Sequence, residues 1–312
     1  MSNKTYALGV DLGGTSIKYG ICSGDGKILR EFKRFTRADQ TDSVILDDLA
    51  SAALEAMDFA EKYNFNIKCM GMGTPGTVDV ERGHLTGNSP NFKFWDDVPI
   101  KAELEKRLNI PVWVDNDANL MAFGEAKFGA GVGKKDIVCL TLGTGIGGGI
   151  ILNGELFRGS NYAGSEIGHM SICYNGIPCR CGGYGCWEKY ASATAMINNY
   201  NLLNPAKQVD STLDIFSAYG NNEQDAVQVI NDEIKLVAVG ISNLVNIFNP
   251  EMIIVGGGVS EAGDWFVEKI SRNVQLIAIK PGTRNLEIVR AQLGNKAGML
   301  GAAAFGMSQM GL

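Results

Sequence analysis

A chain of 312 residues that is 45% hydrophobic and 20% charged has an ordinary globular composition and is long enough for two domains. Its 28 Lys and Arg against 34 Asp and Glu leave a net charge of −6 with no basic block, which argues against nucleic-acid binding because phosphate contacts need clustered cations. No signal-peptide core leads the chain and no apolar run reaches the length of a bilayer span, so a cytoplasmic protein without membrane association is expected.

In chain order, Tyr6 to Asp11, Ile17 to Cys22 and Ile28 to Phe35 read as an antiparallel meander broken by Gly13-Gly14 and by Gly24-Asp25-Gly26. Asp39 to Tyr63 reads as a helix with Leu46, Leu49, Ala53, Ala56 and Ala60 on one face. Ile67 to Gly73 is a buried strand ending in the turn Thr74-Pro75-Gly76. Residues 81–98 read as loop, Pro99 to Leu108 as a helix with proline in its first turn, Pro111 to Asp115 as a strand and Ala118 to Phe128 as a helix.

A second series opens with the strand Ile137 to Leu142, runs through Gly143 to Gly149, and continues as a hairpin, Ile150 to Leu152 and Glu155 to Phe157, around Asn153-Gly154. Helices near 192–203, 211–219 and 224–247 lead to the strand Met252 to Val255 and the glycines 256–258. A helix from about Ala262 to Ile277, a strand Leu286 to Ala291 and a last helix Ala297 to Met307 complete the chain. Strands followed by helix–strand alternation, twice over, predict two similar α/β halves with a cleft between them. The smaller domain is expected over 1–117 joined by the C-terminal helix (297–312), and the larger over 118–296.

Three glycine turns follow strands, at 13–14, 143–149 and 256–258. Glycine there lets backbone N–H groups approach phosphate oxygens, although any single turn is more simply a tight hairpin. Gly143, Gly145 and Gly148 match the dinucleotide spacing, but that motif must open a helix and this one continues as a strand. No Gly-Lys pair is followed by Ser or Thr, so a Walker A loop is absent. What remains is a nucleotide held by turns from both halves, with 256–258 at a helix start.

Between these turns lies the most informative stretch, Gly164 to Tyr190. It holds His169 and then Cys179, Cys181 and Cys186, the donor set of a tetrahedral structural Zn²⁺ site, with Gly182, Gly183 and Gly185 allowing a tight return. Disulfides are disfavoured by the close spacing and by the odd total of 7 cysteines. A nucleic-acid-binding zinc ribbon would carry more cations than Arg180 and Lys189. A closed site would bring together Glu166 and Glu188, which flank it, as candidate ligand contacts. Thiolates of this kind fit a reducing compartment.

Asp115, Asn116, Asp117 and Asn119 stand where a buried strand enters a helix, the place where α/β folds collect ligands. One of them is expected to cap the helix. A carboxylate there is suited to accept a hydroxyl proton during phosphoryl transfer, and the spacing does not choose between Asp115 and Asp117.

Taken together, Asp11-Leu12-Gly13-Gly14-Thr15, Asn116-Asp117, Glu166-Ile167-Gly168-His169 and Cys179-x-Cys181-Gly182-x-x-Gly185-Cys186-x-Glu188 resemble the ROK family of bacterial repressors, open reading frames and sugar kinases. The resemblance runs from Tyr6 to about Gly306, and Ser165 departs from the small Gly or Ala usual before the glutamate. The first motif is common to actin-like ATPases, whereas the zinc motif with its glutamates is specific to the family.

The resemblance implies an actin-like (ribonuclease H-like) fold of two α/β domains that bind ATP and a sugar. It implies Asp117 as catalytic base, with Asn116, Glu166, His169 and Glu188 on the sugar hydroxyls and Gly76 and Asn91 contacting the sugar from the smaller domain. His169 would also ligate zinc, together with Cys179, Cys181 and Cys186. Asp11 would help position Mg²⁺, and Gly13, Gly14, Thr15, Lys18, Gly143, Thr144, Gly145, Gly256, Gly257 and Gly258 would surround ATP. The expected activity is ATP-dependent phosphorylation of the glucose 6-hydroxyl, and a homodimer is the implied assembly. The alternatives are an N-acetylglucosamine or N-acetylmannosamine kinase, a fructokinase, and, in another class, a sugar-responsive transcriptional repressor. The repressor is disfavoured because the short segment ahead of Asp11 leaves no room for a DNA-binding domain.

Overall fold

The computed structural model describes residues 5–87, 89 and 91–312. They divide into two units: Met1–Val132 with Leu156–Ser165 and Asn295–Leu312, and Gly133–Glu155 with Glu166–Gly294. The helix starting at Asp117 and the strap Leu156–Ser165 both belong to the first unit.

In the first unit, β1 (Tyr6–Leu12), β2 (Ser16–Ser23) and β3 (Ile28–Phe35) form the expected antiparallel meander, and α1 (Asp42–Lys62) follows. β4 (Ile67–Thr74) lies parallel to β1. β5 (Val78–Asp79) pairs with β6 (His84–Leu85), which falls inside the segment 81–98 expected to be plain loop, because Val78 and Leu85 are both buried and their backbones need partners. After α2 (Ile100–Leu108), β7 (Val112–Asn116) pairs parallel to β4 and runs directly into α3 (Asp117–Phe128). The sheet order is β3-β2-β1-β4-β7.

Strand alternation separates the two faces of this sheet. Leu8, Val10 and Leu12 of β1 and Met70 and Met72 of β4 enter a core shared with Leu46, Leu49, Ala53, Ala56 and Leu104 of α1 and α2. On the other face stand Gly9 of β1 and Gly71 of β4, and against them lies the C-terminal helix Ala297–Gln309. A Cβ on Gly71 would collide with the Ala302 carbonyl, and one on Gly301 with the Leu120 carbonyl of α3. Only hydrogen at these positions lets helix backbones approach this closely. The helix thus packs on β1, β4 and α3, which fixes where Asp11 and Asp117 stand.

The second unit repeats the plan. β8 (Ile137–Leu142) and β9 (Ile146–Leu152) are antiparallel, β10 (Glu155–Leu156) follows, and α4 (Ala193–Leu203), α5 (Thr212–Gly220) and α6 (Gln224–Phe248) come before β11 (Met252–Gly256). α7 (Asp264–Ile277), α8 (Lys280–Thr283) and β12 (Glu287–Arg290) complete it, with sheet order β10-β9-β8-β11-β12 and β8, β11 and β12 parallel. β9 starts at Ile146, four residues before the expected position, so Gly147, Gly148 and Gly149 are strand residues rather than turn. A Cβ at Gly148 would strike Ile167 and the Cys139 carbonyl, so this glycine serves packing. The buried stripe of α6, including Val229, Ile230, Ile234, Val237, Ile241 and Leu244, recurs at helical spacing and forms the centre of this unit's core. Among the described residues no helix is long and apolar enough to cross a membrane.

Candidate functional site

The first unit presents two groups of side chains. At the turn after β1, the Gly13 amide donates to the Ser16 carbonyl (3.0 Å), and Thr36 donates its hydroxyl to the Gly13 carbonyl (2.7 Å) and its amide to the Thr15 carbonyl (3.0 Å). Asn91 lies against Gly14, its Cβ 3.2 Å from where a Gly14 Cβ would be. Asp11 faces Gly298 in the first turn of the C-terminal helix, with Lys18 Nζ 4.0 Å away. Burial pushes the Asp11 carboxyl above its ordinary range, and the Lys18 charge opposes this.

The second group is the step from β7 to α3. Asp115 is saturated: Oδ2 accepts from Arg158 Nε (2.8 Å) and lies 2.7 Å from Nη2, while Oδ1 accepts from the Asn116 amide (2.7 Å) and Asn119 Nδ2 (3.1 Å). Its side chain is 2% exposed. A carboxylate engaged on both oxygens inside the protein has a structural task and no approach for a substrate. Asn116 is the cap, Oδ1 accepting from the Ala118 and Asn119 amides, and its Nδ2 donates to the Gly76 carbonyl (3.1 Å). Asp117 is a partly exposed carboxylate in the first turn of α3, and its Oδ1 accepts from the Ala118 amide at 2.8 Å.

In the second unit, the stretch that carries the thiolates is folded by short turns. Ile167–His169 and Trp187–Lys189 are 3₁₀ turns tied by the Trp187 amide donating to the Met170 carbonyl (2.9 Å). Cys179 and Gly183 close a tight loop through the Cys179 amide to the Gly183 carbonyl (2.9 Å), with Gly182 at φ 91° in the left-handed region. One donor atom from each of His169, Cys179, Cys181 and Cys186 lies within 4.8 Å of the others. His169 Nδ1 is 3.6 Å from Cys179 Sγ, and Cys181 Sγ is 3.5 Å from Cys186 Sγ. The edges of a tetrahedral Zn²⁺ site are about 3.6–3.8 Å, so this donor set fits zinc in both chemistry and spacing. Burial pushes the Cys186 thiol up to about 12, a cost that a dication bound to the thiolate reverses.

The loop also brings the flanking glutamates together. Glu188 Oε1 is 3.8 Å from His169 Nδ1 and 3.5 Å from Cys179 Sγ. Burial pushes the Glu166 carboxyl up, opposed by His169 and reinforced by Glu188. Trp187, fully buried on Gly240 with Nε1 donating to the Leu236 carbonyl (3.0 Å), anchors the position of Glu188 on α6. Glu188 also reaches the glycine turn: its Oε2 lies 2.6 Å from where a Cβ on Gly145 would be. That turn is held by the Gly143 amide on the Gly145 carbonyl (3.0 Å), and α4 supplies the Ala193 amide to the Gly143 carbonyl (2.8 Å) and the Thr194 hydroxyl to the Thr144 carbonyl (2.8 Å).

The third glycine cluster is placed differently from its expected helix start. Gly256 ends β11, Gly257 lies against the Leu142 backbone at φ 86°, and Gly258 opens a 3₁₀ turn to Ala262. The α-helix begins only at Asp264, an acidic residue in its first turn. Arg158 is the main residue of the site that sequence reasoning missed: a lone arginine after a hairpin belongs to no pattern.

The model of the ROK family matches residues 7–308. The glucokinase of Thermotoga maritima is 36% identical over 321 residues, covering 99% of each chain. The crystal structure of a ROK family glucokinase from Streptomyces griseus, in complex with glucose and AMPPNP, superposes with a TM-score of 0.84 at 34% identity, over 97% of this chain and 99% of that one. The xylose repressor of Caldicellulosiruptor bescii is 30% identical over 97% of this chain and 78% of its own length. The fold is the actin-like ATPase fold of these ROK structures.

Proposed function

This chain belongs to the ROK family, and we propose that it is an ATP-dependent hexokinase that transfers the γ-phosphoryl group to the 6-hydroxyl of glucose. The observation that carries the reading is the division of labour between two neighbouring acids. Asp115 is buried and saturated by Arg158, Asn116 and Asn119, whereas Asp117 stands partly exposed at the helix start. A sugar kinase needs one carboxylate placed to accept the hydroxyl proton, a contribution of roughly 10²–10⁴ in rate, and Asp117 takes that role.

Asn116, held by the cap and by Gly76, orients the same sugar with Gly76 and Asn91. Glu166, Glu188 and the Nε2 side of His169 hold the remaining hydroxyls. The turns at Gly13–Thr15, Gly143–Gly145 and Gly256–Gly258, with Lys18, surround ATP. Mg²⁺, when bound, neutralises charge on the transferring phosphoryl group, and Asp11 is the side chain that would hold it. Zinc would be held by His169, Cys179, Cys181 and Cys186. Four protein ligands close its shell, so it supplies rigidity to the loop bearing both glutamates and no open position for chemistry. The free thiols suit a reducing compartment, the cytoplasm, and the family resemblance makes a homodimer the proposed assembly.

A coupled assay of ATP consumption over glucose, N-acetylglucosamine, N-acetylmannosamine, fructose and xylose tests the reading. Glucose should give the highest kcat/KM. A faster N-acetylated sugar moves the assignment to a hexosamine kinase, and sugar binding without turnover moves it to a regulator.

A further inference from the structure

The strap Leu156–Ser165 belongs to the first unit, although in the chain it starts on the last residue of β10 and ends immediately before Glu166. It is closed on itself by the Gly164 amide on the Arg158 carbonyl (2.8 Å) and the Ser165 hydroxyl on the Phe157 carbonyl (3.0 Å). Arg158 fastens it, with Nε and Nη2 at 2.8 and 2.7 Å from Asp115 Oδ2 and the guanidinium 5.4 Å from the centre of the Phe305 ring.

We propose that Arg158 is a positioning residue for phosphoryl transfer, holding Asn116 and Asp117 at the start of α3 through Asp115 while it pins the strap that ends at Ser165. This rests on the kinase reading above. The physical reason is charge. Asp115 is nearly inaccessible to water, and a buried carboxylate without its cation must take up a proton or move. Either response loosens the bond from the Asn116 amide to Asp115 Oδ1. Asn116 passes the disturbance on, because the same residue caps α3 and holds the Gly76 carbonyl. Asp117 is the next residue. On the other side, the strap's internal bonds carry a shift of Arg158 to Ser165, and so to the residue before Glu166. Planar two-point contact makes arginine, and not lysine, the suitable side chain.

The test compares wild type with Arg158→Met, Arg158→Lys and the double variant Arg158→Met/Asp115→Asn, measuring kcat, KM for glucose and ATP, and thermal midpoint. Arg158→Met should lower kcat by roughly 10- to 100-fold, the scale of a misplacement near 1 Å, with KM for ATP within about twofold. Arg158→Lys should recover part of the loss. The double variant should be more active than Arg158→Met, because it leaves no orphaned charge. A purely structural arginine would lower the midpoint and leave kcat per folded molecule unchanged, and that result overturns the proposal. If Arg158→Met does not fold, the other two decide: a Lys variant with wild-type kcat, or a double variant that is active only at the level of an Asp117 substitution, overturns it. A wild type that turns over no hexose overturns the kinase reading and this inference together, whereas an active wild type with an indifferent Arg158 overturns this inference alone.

Discussion

Replacing Gly145 by alanine sets a methyl group against a single movable carboxylate, that of Glu188. The added Cβ would lie 2.6 Å from Glu188 Oε2 and 3.8 Å from Glu188 Cδ, and beyond its chain neighbours no other atom of the described residues comes within 4 Å. The backbone of Gly145 is outside the left-handed region, so alanine is sterically acceptable there. The conflict is therefore with the movable end of one side chain. Folding should change by no more than about 0.5 kcal/mol, while Glu188 must swing off its position. If Glu188 binds a glucose hydroxyl, the loss is one charge-assisted hydrogen bond, about 1.5–3 kcal/mol, or roughly 10- to 150-fold in Kd. Calorimetric titration with glucose in the absence of nucleotide reads this directly. Gly143→Ala is the control, since none of the described residues beyond its chain neighbours lies within 4 Å of its added Cβ, and its glucose affinity should stay at the wild-type value. Equal glucose affinity in Gly145→Ala and wild type refutes the reasoning, because either the carboxylate is elsewhere or it does not touch the sugar.

Three further outcomes are expected. Asp117→Asn should lose roughly 10²–10⁴ in kcat while calorimetry still detects glucose and ATP; Asp115→Asn should be milder, and equal losses would remove the distinction between the two acids. Elemental analysis should find about one zinc per chain, with Cys181→Ser or Cys186→Ser lowering both zinc content and glucose affinity; variants without zinc that bind glucose normally would exclude the scaffold role. The third concerns Glu233 of α6, whose Oε1 is buried without a hydrogen-bond partner among the described residues and whose carboxyl burial holds well above its ordinary value of 4.5. A raised native value means that the unfolded chain releases this proton first. Its contribution is thus fully present below about pH 4.5 and is lost, by about 1.4 kcal/mol per pH unit, as pH rises toward the native value. Glu233→Gln removes the ionisation, so its thermal midpoint should gain on wild type as pH increases from 5 to 8, and a constant difference would contradict the assignment.

The twice-repeated alternation of strands and helices and the donor set were legible because each depends on residues close in sequence. An apolar run showed at Tyr6 to Asp11, helical spacing in α1, and metal chemistry in a histidine followed by three closely spaced cysteines. Less legible was β9, where four successive residues including Gly147–Gly149 looked like turn. Local propensity disfavours glycine in a strand, but pairing with β8 and the close approach of Ile167 to Gly148 override it.

The sequence by itself determined the chemistry available to this protein: which acids, thiolates and glycine turns exist, and in what order along the chain. It did not decide which acid is buried and held by a distant cation. Asp115 and Asp117 are alike as residues, two positions apart at one strand end. Asp115 is taken because Arg158, 43 residues away in the chain, reaches its buried carboxylate. Likewise Glu188 meets Gly145 only because the folded loop places it there. Partners far apart in sequence leave no local pattern, and the role of a carboxylate depends on its burial and its partners, which only the tertiary structure supplies.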